Sequence, residues 1–214
     1  AVASAVLLGR VAALRHAKAL AVLDPSRKQD PSTSTVQAVR CFAWSASILG
    51  MTAPPLYADP EFPGLVAMVP GIPPASRLGK LSLSGRTPAE LAFVAGRHLA
   101  GYREEHFLRK LLPSIESLED IFLAALVIGN PGLPLHADMK ARVAPVASAI
   151  QPILEPLVID RLRGHFLRFV EEGGRTNLQR WAHAADATAK RAGLLLCDDL
   201  GVAELMLTLE QVPD

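Results

Sequence analysis

Residues 78–101 read LGKLSLSGRTPAELAFVAGRHLAG, and this stretch decides the fold. The run 78–83 is compatible with a β-strand. A complete helix start follows it, because Thr87 can cap the helix, Pro88 suits its first position and Glu90 can bond back to the cap. The sequence therefore predicts a strand followed by a helix over residues 88–103.

The flanking sequence alternates between proline-rich and helical segments. Between residues 52 and 83, prolines separate short β-compatible runs at 56–57, 64–69 and 78–83, which predict a small sheet. Apolar residues elsewhere recur at helical spacing. The further predicted helices cover residues 2–23, 36–49, 117–128, 137–153, 157–172, 176–197 and 202–211, with Ser34 or Thr35 capping the second of them. We expect an α+β fold that is mostly α-helical.

The composition excludes several classes of protein. The chain has 22 Lys and Arg against 21 Asp and Glu, so its net charge is only +1 and it has no strong electrostatic field. We therefore expect no nucleic-acid partner. The longest purely apolar stretch, residues 121–128, is far shorter than the roughly 18 residues of a membrane span. Cys41 and Cys197 favour reduced thiols and a cytoplasmic location, although a single disulfide between them also fits the sequence.

The N-terminal segment ends in an Ala-rich Leu-Asp-Pro pattern over residues 17–25. This pattern is similar to the second helix of a tetratricopeptide repeat, and an ordinary amphipathic helix is the alternative. We therefore divide the chain into an N-terminal helical segment at 1–50, as the possible end of a repeat array, and a domain at 51–214.

The helix that begins at Pro88 resembles the active-site helix of HtpX-like and CAAX-prenyl-protease-like gluzincins, which are zinc metallopeptidases. In that family the helix continues as Gly-His-Glu-Leu-Ala-His, and the resemblance implies an edge strand at residues 78–83. Alignment on Gly96 and Leu99-Ala100 places Arg97 at the first zinc-ligand position, His98 at the general base and Gly101 at the second ligand position. Arginine lacks a lone pair for zinc and glycine lacks a side chain.

A second landmark of the family is a later helix with Glu-x-x-Ala-Asp, in which Glu is the third zinc ligand. The frame is similar at residues 186–196, where Asp186 takes the ligand position and Lys190 replaces the acid. The resemblance covers about residues 56–207. It implies a zincin-like pseudo-peptidase with no catalytic residues and no zinc or other cofactor. Its degenerate cleft would contain Arg97, His98, Gly101, Asp186 and Lys190, and its partner would be a protein or peptide.

Three alternatives remain open at this point. Arg97 and Asp186 have opposite charges, and an ion pair between them would join the two helices in place of zinc. A hydrolase with a non-standard metal would use His98, His106 and Asp186, or Glu105. A purely structural helical cap of a repeat protein would have a small or filled pocket beneath residues 96–101. For His98 itself, we expect a partly buried side chain with a backbone or carboxylate partner.

Overall fold

A computed structural model of the chain describes residues 2–210, without the side chain of Glu210. Two compact units divide these residues, one formed by 2–13 with 107–184 and the other by 14–106 with 185–210. We refer to them as the helical unit and the sheet unit. This division differs from the boundary expected near residue 50, and the association with a repeat array stays a prediction. Both cysteines are free thiols.

The described part of the chain is mostly helical. Its α-helices are α1 Val2–His16, α2 Gln37–Ile48, α3 Lys80–Leu83, α4 Pro88–Ala100, α5 Glu104–Leu111, α6 Ile115–Gly129, α7 Ala137–Ile150, α8 Pro156–Glu171, α9 Leu178–Cys197 and α10 Leu200–Glu210. The strands are β1 Lys28–Gln29, β2 Leu56–Ala58, β3 Val66–Val69 and β4 Ala75–Leu78. The expected α+β architecture is therefore confirmed at this level, while β1 and α5 had not been predicted as separate elements.

The first helix ends seven residues earlier than predicted. Lys18 has a φ of 54°, and the amides of Lys18 and Ala19 donate to the carbonyls of Arg15 and Leu14. This is the pattern of a Schellman cap. None of residues 17–23 is buried, and Val22 is 94% exposed. Tertiary packing supplies most of a helix's stability and is weak here, so the chain leaves the helix, and the predicted helix over residues 17–23 is wrong.

The four strands form one mixed sheet in the order β1-β2-β4-β3. β1 is antiparallel to β2, β2 is parallel to β4, and β3 is antiparallel to β4. The strand predicted at 78–83 ends at Leu78, because Gly79 caps the one-turn helix α3 and the Ser82 hydroxyl donates to the Leu65 carbonyl. The edge strand implied by the resemblance is also wrong, since β4 lies between two other strands.

Helix α4 is the central helix of the sheet unit. Ten of its thirteen residues are buried, as expected for a helix that is apolar on all sides. Its predicted start is confirmed, because the Thr87 hydroxyl accepts from the Glu90 amide and the Glu90 carboxylate accepts from the Thr87 amide. It ends at Ala100, three residues before the predicted end. The neighbouring α2 follows its prediction closely. Its N-cap residue is Val36, however, and not Ser34 or Thr35 as predicted.

The helical unit is organised around α6, which packs against α7 and α8. A Cβ atom on Gly129 would lie 2.9 Å from the carbonyl oxygen of Leu162, so the missing side chain permits close contact between α6 and α8. Phe122 and Phe169 stack edge to face across the same pair of helices. In residues 2–210, no helix has both the length and the apolar character required to cross a membrane.

Candidate functional site

Two helices of the sheet unit cross closely at the predicted site. A Cβ atom on Gly96 of α4 would lie 2.7 Å from the carbonyl oxygen of Ala192, and one on Gly193 of α9 would lie 2.8 Å from that of Phe93. Real side chains do not tolerate such distances from backbone atoms. The glycines therefore allow the backbones of α4 and α9 to approach one another, and this brings the two landmark segments of the sequence together.

The crossing brings Arg97 of α4 and Asp186 of α9 into electrostatic interaction. Arg97 is half-buried, and burial lowers the pKa of its guanidinium group while the negative charge of Asp186 raises it. Burial is the larger effect, so the pKa of Arg97 lies below its usual value, and the charge of Asp186 only partly offsets the cost of burial. Lys190 lies one helical turn beyond Asp186 and is exposed. Asp186 is thus near enough to act on the charge of Arg97, and the ion pair expected between them stays a prediction.

His98 belongs to a buried hydrogen-bond chain. Its Nε2 atom lies 2.8 Å from Oγ of Ser76, which lies 2.8 Å from the hydroxyl oxygen of Tyr102. The Tyr102 hydroxyl in turn donates to the carbonyl oxygen of Ala75 over 3.0 Å. Ser76 is fully buried and His98 is 6% exposed. The His98 ring also packs against the rings of Phe42 and Tyr102.

The end of this chain determines the direction of every proton in it. A carbonyl oxygen only accepts, so the single proton of Tyr102 lies towards Ala75. The Ser76 hydroxyl must then donate to Tyr102, and its oxygen accepts from Nε2–H of His98. His98 therefore donates to Ser76 and does not withdraw its proton. In this arrangement His98 does not act as a general base towards Ser76.

Burial reinforces the neutral form of Tyr102. It raises the pKa of the phenol, an effect that the hydrogen bond with Ser76 only partly offsets. A neutral phenol keeps the proton that it donates to Ala75.

The residues at the positions of the zinc motif do not fit a zinc ion. Arg97 has no lone pair, Nε2 of His98 is hydrogen-bonded to Ser76, and Gly101 is the C-cap of α4 without a side chain. Over residues 2–210, no group of three or more His, Cys, Asp or Glu side chains is arranged to hold a metal. The non-standard set of His98, His106 and Asp186 is thus not assembled. The expectation that the protein contains no zinc stays a prediction.

His106 and its neighbours lie beyond a break in the helix. Residues 101–103 separate α4 from α5, so the spacing of a continuous helix does not apply to His98 and His106. His106 is partly buried, and its Nδ1 atom makes no hydrogen bond with the described residues. Glu104 and Glu105 are exposed in the first turn of α5.

Two cavities are lined by residues of the sheet unit. The larger has a volume of about 830 Å³ and is lined by Lys28, Gln29, Asp30, Pro31, Met51, Thr52, Ala53, Pro54, Pro55, Leu56, Pro73, Pro74 and Tyr102. The smaller, of about 450 Å³, is lined by Gln37, Arg40, Cys41, Trp44, Pro88, Ala89, Ala92 and Leu196. Neither of these two cavities is lined by Arg97, His98 or Asp186. Tyr102 connects the larger one to the His98 chain.

The sequence analysis missed Ser76 and Tyr102. Tyr102 follows His98 by four residues, the spacing at which side chains meet on a helix, and this was a usable signal. Ser76 reaches His98 only through the packing of β4 on α4, which no local pattern announces. The Ser76 hydroxyl is one partner of His98 that had not been expected.

Comparison with known proteins identified no matching family model, no matching curated protein and no matching solved structure. The resemblance to HtpX-like proteases therefore depends on the residues of this chain alone.

Proposed function

We propose that the chain is a zincin-like domain that has lost its metal site and acts as a non-catalytic interaction or scaffold module. The observation that carries the proposal is the chemistry at the two histidine positions of the zinc motif. Arg97 and Gly101 stand there, and neither supplies an electron pair. Without these ligands, the helix cannot generate the zinc-bound hydroxide that a metallopeptidase requires.

The environment of these residues supports a structural role for the former active-site helix. Arg97 interacts with Asp186 across the α4–α9 crossing, where zinc would join the two helices in an active enzyme. His98, at the position of the general base, donates into a buried chain instead of activating water. Both residues are thus engaged in contacts that hold α4 in place.

The proposed partner is a protein or peptide. The cavity of about 830 Å³ is open along the proline-rich segments and borders β1, an edge strand of the sheet. An edge strand and an apolar groove are features that peptide-binding domains use. We also propose a cytoplasmic location, which the free thiols of Cys41 and Cys197 favour.

Metal content and peptidase activity test the loss of function directly. The purified chain should contain no stoichiometric zinc by elemental analysis, and any cleavage of a casein substrate should be insensitive to a chelator. A stoichiometric metal together with chelator-sensitive cleavage that His98→Ala abolishes would instead identify a hydrolase with a non-standard site.

A restored motif tests the resemblance itself. The variant Arg97→His/His98→Glu/Gly101→His/Asp186→Glu should bind about one zinc per chain, because it recreates the three ligands and the base in the family spacing. The control Arg97→His/Gly101→His/Asp186→Ala lacks the third ligand and should bind zinc more weakly. If the restored variant folds by circular dichroism and binds zinc no better than the control, the zincin resemblance is wrong.

A further inference from the structure

Helix α8 of the helical unit has one packed face and one exposed face. On the packed side, Leu162 contacts Gly129 and Phe169 stacks on Phe122, both on α6. The opposite side follows the spacing of a helix stripe, and all of its residues are exposed: Leu157, Asp160, Arg161, Gly164, Leu167, Arg168 and Glu171. We call these seven residues the α8 stripe. Leu157 and Leu167 are each 60% exposed, which is unusual for two leucines on one helix face.

Gly164 lies at the centre of the α8 stripe. Glycine is a poor helix former, and a glycine in the middle of a helix often allows another element to approach closely. Gly129, Gly96 and Gly193 do so, because a side chain on any of them would collide with a neighbouring helix. A Cβ on Gly164 would meet nothing within 4 Å. The open space above Gly164 is therefore suited to another helix that approaches α8 closely.

The charges of the α8 stripe indicate which helix that is. Asp160 and Arg168 lie four residues before and four residues after Gly164, and the stripe as a whole carries two acidic and two basic residues. If two copies of α8 cross antiparallel at Gly164, Asp160 of each copy faces Arg168 of the other. A parallel crossing would oppose identical charges. Asp160, which also pairs with Arg163 of its own helix, and Arg168 are thus complementary in one orientation. In this orientation Leu157 and Leu167 lie opposite Glu171 and Arg161, whose aliphatic stems can cover them.

We propose that the α8 stripe binds the α8 stripe of a second copy of this chain, in an antiparallel crossing centred on Gly164. The arrangement is isologous, as in most symmetric dimers, with the two-fold axis at the glycine. Leu157 and Leu167 lose their solvent exposure, and the two Asp160–Arg168 pairs fix the orientation. This inference is independent of the resemblance to zinc peptidases and of the proposed function.

The size and charge of the surface determine the behaviour of the dimer. One helix face per subunit is small compared with a standard protein interface, so the dimer exchanges rapidly with the monomer. The ion pairs are near the surface and salt screens them. Association should therefore weaken as the salt concentration rises.

Sedimentation velocity of the full chain, over micromolar to millimolar concentrations, tests the proposal. The wild-type chain should show a concentration-dependent dimer. Asp160→Arg and Arg168→Asp should each weaken the dimer by at least tenfold, because each places like charges opposite one another. The double variant Asp160→Arg/Arg168→Asp should recover wild-type dimerisation. Recovery of the dimer in the double variant would identify the Asp160–Arg168 pairing, because each substitution alone weakens the dimer.

Two further variants separate the interface from the stability of the fold. Gly164→Gln adds a good helix former in open space, so it should raise the melting temperature while it weakens the dimer. Arg180→Glu alters an exposed cation on α9 of the same unit and should leave dimerisation unchanged. A wild-type chain that is monomeric throughout, or a dimer that the double variant does not restore, overturns the proposal.

Discussion

Oγ of Ser76 lies 2.8 Å from Nε2 of His98, and this contact joins the central strand of the sheet to the central helix of the same unit. The serine both accepts from the histidine and donates to Tyr102. Two other polar groups of the unit are therefore bonded to the same buried hydroxyl. That position makes Ser76 a sensitive test of the proton arrangement.

Ser76→Ala should lower the free energy of unfolding by about 1–3 kcal/mol, because it leaves Nε2–H of His98 and the oxygen of Tyr102 without their partner. Urea denaturation of the purified chain measures the change. Ser47→Ala, at an exposed position of α2, is the matched control and should have an effect within about 0.5 kcal/mol. Equal effects of the two substitutions would contradict the buried chain.

The raised pKa of Tyr102 predicts a loss of stability at high pH. In the unfolded chain the pKa of Tyr102 is about 10. At lower pH the folded and the unfolded chain both keep the phenol proton, so Tyr102 makes its full contribution to the free energy of unfolding. Above about pH 10 the unfolded chain loses the proton first, so the free energy of unfolding falls by up to about 1.4 kcal/mol per pH unit until the folded pKa is reached.

Tyr102→Phe lacks this proton and isolates the effect. Urea denaturation of both chains at about pH 8, 9, 10 and 11 should show the wild-type advantage shrinking above about pH 10. The other titratable groups are the same in both chains, so their contributions cancel in the difference between the two free energies of unfolding. A constant difference over that range would show that burial does not hold Tyr102 in its neutral form.

Patterns of neighbouring residues predicted which helices and strands exist better than they predicted where these elements end and what they pack against. The start of α4 followed from Thr87, Pro88 and Glu90 because a capping box is formed by neighbouring residues. The strand at residues 78–83 was wrong because contacts distant in the sequence turn the chain there, such as the bond from Ser82 to Leu65. Local patterns do not contain such contacts.

The candidate site shows the same limit. The proximity of Arg97 and Asp186 was predictable, since it followed from two helices in a known order. The hydrogen bond between His98 and Ser76 was not, because it depends on the register of β4 beneath α4. Packing between distant segments, which no local pattern contains, supplied this partner.

The interaction between Arg97 and Asp186 should contribute to stability. Arg97→Ala leaves Asp186 with less compensation for its charge and removes packing from a half-buried position. We expect a loss of about 1–2 kcal/mol in the free energy of unfolding, below the roughly 3–5 kcal/mol of a fully buried pair.

A double-mutant cycle separates the pair from the packing. Arg97→Ala, Asp186→Ala and the double variant should give a coupling energy of at least about 0.5 kcal/mol. Arg191→Ala changes an exposed cation of α9 and should cost little. A coupling energy of zero would show that the two charges do not join the helices.

The close crossing of α4 and α9 predicts opposite effects for the same substitution at two helical glycines. At Gly96 a new methyl group would lie 2.7 Å from the backbone oxygen of Ala192, which cannot move without shifting the helix. Gly96→Ala should therefore cost about 1–3 kcal/mol. At Gly9 of α1 nothing lies within 4 Å, so Gly9→Ala should add about 0.5–1 kcal/mol through helix propensity alone. Thermal and urea denaturation of both variants measure the two signs. Stabilisation by both would mean that α4 and α9 do not meet at Gly96, and the approach of Arg97 to Asp186 would lose its structural basis.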